Sequence, residues 1–224
     1  MRFSVLHLIL VCIAMVLFLF YAFAKWQSKN EQVKVLNNEI LLMQAKIASA
    51  EEQGTKALAY ARIIRGLDIL AGRKLSARQK SILTERLFQI SSDYKIDPLL
   101  ILAVIKHESR GNPNARGAFI SGAESGALGL MQIKYESALD VARYVGVRLN
   151  SPEDLFNPEI NLMVGTAYLL RLIAKYQNLQ HALIAYNIGL GTLDGKLRSG
   201  ERLPMRYYNK VMQEYRLLAE RIFE

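Results

Sequence analysis

A chain of 224 residues, 51% of them hydrophobic, is long enough for one full domain with a sizeable core and an accessory segment besides. Its formal charge of +9 attracts it to anionic polymers and membrane surfaces. No lysine or arginine run interleaved with aromatics makes a nucleic-acid module, so nucleic acid is not an expected partner. The lone cysteine, Cys12, excludes an internal disulfide and a thiolate metal site, and His7, His107 and His181 have no ligand spacing, so no metal is expected.

In chain order, residues 3–24 are almost wholly apolar, interrupted by Ser4 and His7, and about 20 such residues suffice to cross a bilayer as a helix. Phe3, Tyr21 and Trp26 are placed as interfacial aromatics. A retained anchor over residues 1–24 is expected. The rival is a cleaved signal peptide ending at Ala22-Phe23-Ala24, although the apolar run exceeds the 7 to 15 residues usual for a signal core. The basic residues Arg2, Lys25, Lys29 and Lys34 on its two sides do not set its orientation.

Residues 25–72 are expected to form a helical stalk or short coiled coil. Val33, Leu36, Ile40, Met43, Ile47 and Ala50 recur at steps of three and four, a heptad stripe ending near Gly54. Residues 33–50 could therefore pair two copies of the chain or dock an envelope partner, or simply form one amphipathic helix. A second helix is expected over 56–70, with a break at Ala71-Gly72-Arg73-Lys74.

Residues 73–224 are expected to be one mainly α domain. Ser76 caps a helix over 77–94, and Asp97 with Pro98 makes an N-cap and first-turn pair for the next. That helix, Leu99-Leu100-Ile101-Leu102-Ala103-Val104-Ile105-Lys106-His107-Glu108-Ser109, is stopped by Gly111-Asn112-Pro113. Further helices are predicted at 132–144, 158–176, 178–186 and 205–222, with a small hairpin within 116–128. Ser151-Pro152 and Asn157-Pro158 are cap and loop signals between them.

Glu108 is the candidate general acid, because burial penalises a carboxylate's charged form and lets it hold a proton near neutral pH. Taken alone it reads rather as the polar last turn of a core helix, since helix ends commonly carry charge. Its company decides the matter. Glu108-Ser109-Arg110-Gly111-Asn112-Pro113-Asn114-Ala115, then Gly126-Ala127-Leu128-Gly129-Leu130-Met131-Gln132-Ile133, then Ala185-Tyr186-Asn187-Ile188-Gly189, then Tyr207-Tyr208-Asn209-Lys210-Val211 resemble, in order, the four blocks of the family 1 lytic transglycosylases. These are soluble-lytic-transglycosylase-like enzymes related to goose-type lysozyme that cut peptidoglycan, and the resemblance covers about residues 76 to 224.

The resemblance implies a lysozyme-like fold and a single catalytic carboxylate, Glu108, with no cofactor. In the family this acid protonates the glycosidic oxygen between N-acetylmuramic acid and N-acetylglucosamine. It then takes a proton from the muramoyl 6-hydroxyl, which closes on the anomeric carbon as a 1,6-anhydro ring. It also implies substrate-binding roles for Ser109, Met131, Gln132, Tyr186, Asn187 and Tyr207, with the Tyr186 hydroxyl beside the acid or the substrate's N-acetyl group. The departures are Tyr135 where the family has proline, Ser137 for threonine, and Tyr208 for valine, which leaves the choice between Tyr207 and Tyr208 open by one position.

Residues 116–125 are about six longer than the family's spacing, and such a loop can fold over a cleft. Glu124 within it could serve as a second carboxylate and make the enzyme a goose-lysozyme-like muramidase. A glycan-binding scaffold without turnover is the non-enzymatic rival. The implied setting is a bacterial inner membrane, with the domain on the periplasmic side and peptidoglycan strands as partner. A role in opening the wall around a secretion or conjugation apparatus is the hypothesis that anchor and stalk together motivate.

Overall fold

The structure, a computed structural model, describes residues 5–117, 119–120 and 123–222, with the side chains of residues 5, 6, 8–12, 119, 120, 123 and 124 outside that description. The chain divides into two compact units, residues 1–56 and 57–224.

The first unit is helical throughout its described residues, as part of α1 (Val5–Ala71). The stripe of Val33, Leu36, Ile40, Met43 and Ile47 is exposed along it. Gly54 does not end the helix, which runs on to Ala71. Among the described residues no helix is long and apolar enough to cross a membrane. The expected span of residues 3–24 is only partly covered by that statement, since Phe3, Ser4 and the Cys12 side chain lie outside the described residues.

The second unit is built on α2 (Ala77–Tyr94), α3 (Pro98–Ser109), α4 (Tyr135–Ala142), α5 (Pro158–Tyr176), α6 (Leu179–Ile188), α7 (Leu190–Ser199) and α8 (Arg206–Ile222). The local signals act as expected at three helix starts. Ser76 accepts the Gln79 N–H while Gln79 returns a bond to the Ser76 N–H, a reciprocal cap. Asp97 accepts the Leu99 N–H at 2.9 Å ahead of Pro98, and Asn157 accepts from Glu159 and Ile160 ahead of Pro158.

At the core, Leu99 to Ile105 are seven consecutive buried residues. A helix apolar on every side has to be surrounded. α3 shares its cluster with Leu83 and Leu87 of α2, Leu162 and Leu169 of α5, and Tyr207, Val211 and Leu218 of α8. Each large side chain fully buried here stabilises the fold by about 1.5–3 kcal/mol. The last turns of α1 add Ile63, Leu67, Leu70 and Ala71 to the same cluster. Residues 57–71, read from the sequence as stalk, thus share the core of the second unit.

Two short antiparallel pairs fill the region between α3 and α4. β1 (Phe119–Ile120) pairs with β2 (Ala123–Glu124), and β3 (Ala127–Leu128) with β4 (Ile133–Lys134). The predicted hairpin is therefore two, and the second reaches into the stretch predicted as helix. α4 begins only at Tyr135, because Gly129 and Gln132 take left-handed backbone angles, φ 75° and 48°, which a helix does not accommodate.

Candidate active site

α3 ends at Ser109, and Arg110 and Gly111 turn the chain away in left-handed conformation. The last turn therefore carries His107, Glu108 and Ser109 out of the apolar core, and all three are half-buried. Burial pushes the Glu108 carboxyl up to about 7, against a smaller opposite pull from the Tyr207 hydroxyl. That hydroxyl donates to Glu108 Oε1 at 2.5 Å. Tyr207 itself is 6% exposed, and burial with the adjacent Glu108 charge holds its own pKa well above the usual tyrosine value. It remains a neutral donor whatever the state of the acid. The His107 and Tyr207 rings meet nearly at right angles with centroids 5.0 Å apart, and burial lowers the His107 pKa.

Glu108 faces a cleft of about 440 Å³ lined also by Gln132, Lys134, Ser137, Tyr168, Tyr186 and Asn187. Among the described residues lining it, Glu108 is the sole carboxylate. A larger surface hollow of about 850 Å³ lies between residues 60–68 and α2, but its carboxylates Asp68, Glu85 and Glu159 are engaged by the Lys80 ammonium, the Tyr60 hydroxyl and the Arg86 guanidinium.

The floor of the cleft is shaped by backbone bonds that side chains satisfy. Asn161, wholly buried on α5, donates to the Leu128 and Leu155 carbonyls and accepts the Met131 N–H, all at 2.8 Å. Gly129 must be glycine, since a Cβ there would lie 2.2 Å from both Asn161 Nδ2 and the Leu155 carbonyl. Gln132 Nε2 donates to the Ala115 and Gly129 carbonyls, each at 3.0 Å, joining the two strands of chain that border the cleft.

The expected site residues are distributed unevenly over this frame. Glu108, Gln132, Tyr186 and Asn187 line the cleft together. Of the adjacent tyrosines it is Tyr207 whose hydroxyl reaches the acid. Met131 is fully buried, its N–H held by Asn161 and its sulfur beside Thr166. Its side chain packs in the core and its carbonyl accepts the Tyr186 hydroxyl at 2.9 Å. Tyr186 therefore bonds the loop, and Tyr207 takes the position beside the acid. Ser109 bonds the Ile105 carbonyl and accepts the Gly111 N–H, as a helix-end serine does. The Glu124 side chain lies outside the described residues; its backbone pairs with Phe119. Tyr168, Lys134, Ser137 and Asn161 were not among the site residues expected from the sequence. Only Ser137 carried a signal, as a departure from the family pattern.

Together these residues make a general acid–base site on a mainly helical scaffold: one carboxylic acid poised near neutrality, one permanent hydroxyl donor against it, and a polar cleft in front. The family model described as Transglycosylase SLT domain matches residues 86–209, more than half of the chain, and the chain belongs to that family.

Relatives named endo-type membrane-bound lytic murein transglycosylase A, from Salmonella typhimurium and Salmonella enteritidis, are 42% identical over 108 residues, covering 44% of this chain and 50% of theirs. The chain thus matches about half the length of these relatives. Among solved structures, lytic transglycosylase Slt of Pseudomonas aeruginosa, in an inactive mutant, shares 23% identity over 59% of this chain and 21% of its own, with a TM-score of 0.44. The 70 kDa soluble lytic transglycosylase of Escherichia coli shares 24% over 61% and 22%, also at 0.44.

Proposed function

We propose that this protein is a peptidoglycan lytic transglycosylase with Glu108 as its single acid–base. The observation that carries the reading is the half-buried Glu108 carboxyl, raised to about 7 and held by Tyr207 at the edge of the cleft. At neutral pH a substantial fraction of such an acid is protonated and able to protonate the glycosidic oxygen between N-acetylmuramic acid and N-acetylglucosamine. As that C–O bond breaks, the carboxylate so formed keeps the Tyr207 hydrogen bond, which stabilises its charge. It then accepts the proton of the muramoyl 6-hydroxyl while the 6-oxygen bonds the anomeric carbon, giving a 1,6-anhydro ring and restoring the acid.

An internal nucleophile has a high effective concentration and needs neither a positioned water nor a second carboxylate. Gln132, Asn187 and Tyr186 would border the sugar, with Met131, Ser109 and Tyr207 supporting the loop, the helix end and the acid.

We further propose that residues 3–24 tether the chain to the inner membrane, with the catalytic unit on the periplasmic side. The apolar run and the membrane-bound relatives support this. The exposed stripe of residues 33–50 would then join two copies or an envelope partner, in wall opening around a secretion or conjugation apparatus. A chain recovered in the soluble fraction, or a stalk giving no crosslinked product in the envelope, would remove this part of the reading.

Digestion of purified peptidoglycan with the full chain, followed by mass spectrometry beside Glu108→Gln, tests the chemistry. Muropeptides about 18 Da lighter than hydrolysed ones, from internal attack in place of water, are expected from the wild type alone. Reducing products would instead make the enzyme a muramidase and direct attention to Glu124. Binding of glycan without either product would leave a scaffold.

A further inference from the structure

The last turns of α1 run alongside α3 and meet it at both ends. At the start of α3, the Asp97 cap also accepts the Tyr215 hydroxyl at 2.8 Å, and the Arg62 guanidinium lies 3.9 Å from the same oxygen. Midway, Gly66 of α1 makes room for the acid helix, since a Cβ there would lie 2.6 Å from Leu102 Cδ1. At the far end, Lys74 Nζ donates to the Arg110 carbonyl at 2.7 Å. Gly111, with φ 73°, seats on α1 so closely that a Cβ would lie 2.7 Å from the Ala71 Cα and from Leu70 Cδ1.

The chemistry of this end is specific. A helix C-terminus leaves its last carbonyls without partners in the helix, and an ammonium there satisfies one while matching the negative end of the dipole. The carbonyl that Lys74 holds lies two residues beyond Glu108.

We propose that residues 57–74 are a positioning brace for the acid, in which Lys74 and the Gly111 contact fix the last turn of α3 and so hold the Glu108 carboxyl against Tyr207 and the cleft. The proposal rests on the reading of Glu108 as the acid–base. Neither Lys74 nor Gly111 lines the cleft, so both act through α3 and are positioning residues. A catalytic group displaced by about 1 Å can lose about a hundredfold in rate, so a contact two residues away suffices to matter.

Lys74 is exposed, and its replacement leaves the core intact. In the full chain, Lys74→Met is expected to lower kcat about tenfold with KM unchanged, and Lys74→Arg to restore it. Lys196→Met, which breaks a remote surface pair with Glu201, serves as the control and should behave as wild type. Gly111→Ala should lose at least as much as Lys74→Met, because it combines a strained backbone with a collision; the Lys74 series decides whichever way that variant folds.

The second readout is the titration of Glu108, followed by carbon-13 NMR in glutamate-labelled chain and assigned with Glu108→Gln. Losing a nearby cation by itself would raise a carboxyl's pKa, whereas loosening its helix end toward water lowers it from about 7. The brace predicts the lowering. A Lys74→Met chain whose kcat and Glu108 titration match those of Lys196→Met, or whose titration moves upward, overturns the proposal. Because the titration needs no turnover, a wild type that releases no muropeptide would defeat the functional reading and leave the brace still measurable.

Discussion

The two walls around Glu108 are made by different physics. On the α3 and α8 side, seven consecutive buried residues and the buried Tyr207 ring keep water off the carboxyl, so that wall acts by exclusion and sets the acid's proton affinity. On the side of β3, β4 and α5, the wall is a polar lattice: Asn161, Gln132 and Tyr186 bond backbone groups of residues 115–131 and fix the path of the loop. One wall tunes a pKa and the other fixes a shape. A substitution should therefore disturb proton affinity or architecture according to its side, and four variants test that division.

The largest stability effect belongs to the lattice. Asn161→Ala removes three hydrogen bonds and leaves their buried partners unsatisfied, and it is expected to cost about 3–5 kcal/mol in urea unfolding. The division fails if the variant unfolds like wild type.

The second is electrostatic and comes from the acid itself. Above about pH 4.5 the unfolded Glu108 ionises freely, while the folded one keeps its proton to about 7. The unfolded state binds fewer protons across that window, so stability falls as pH rises through it. Glu108→Gln should consequently be more stable than wild type at pH 8 by about 2 kcal/mol, a figure reduced for the group's partial exposure. At pH 4 most of that advantage should vanish. An equal difference at both pH values would show that burial of charge is not what the variant relieves.

Tyr207→Phe follows. Its hydroxyl lowers the Glu108 pKa, so losing it should raise the acid further and move the alkaline limb of the rate profile to higher pH. The loss of transition-state stabilisation should lower kcat about tenfold. Tyr186→Phe, on the opposite wall, is expected to cost about 1 kcal/mol of stability through the orphaned Met131 carbonyl. It should move the alkaline limb least. If Tyr186→Phe shifted that limb as far as Tyr207→Phe, the two walls would not be separable.

This contrast also explains what could be read from the sequence. The exclusion wall was legible, because an unbroken apolar run with Asp97-Pro98 at its head and Gly111 after its end is local information. The lattice was not. Asn161 and Tyr168 lie on α5, outside the four blocks, and Asn161 acts on residues 30 and 33 positions away.

Met131 and Tyr186 stand in the expected neighbourhood, but block membership does not tell that the Met131 side chain packs inward or that the Tyr186 hydroxyl bonds the Met131 carbonyl. α7 was missed because Leu193 is its one buried residue and Gly191 and Gly195 interrupt it, so neither periodicity nor propensity marks it. The end of α1 was assigned to the stalk because the break at Ala71-Gly72 is a local signal, whereas the burial of Ile63 and Leu67 in the core is set by residues distant in sequence.

The hydrogen bond between Tyr207 and Glu108 spans 99 positions of chain, and that distance governs timing. The acid helix leaves the ribosome well before α8, so a growing chain holds Glu108 without the hydroxyl that completes it until α8 has been made. A chain interrupted before residue 207 would carry the carboxyl but not the pair. Assembly of the acid and its donor is thereby linked to synthesis of α8, and a copy interrupted before it lacks the finished pair.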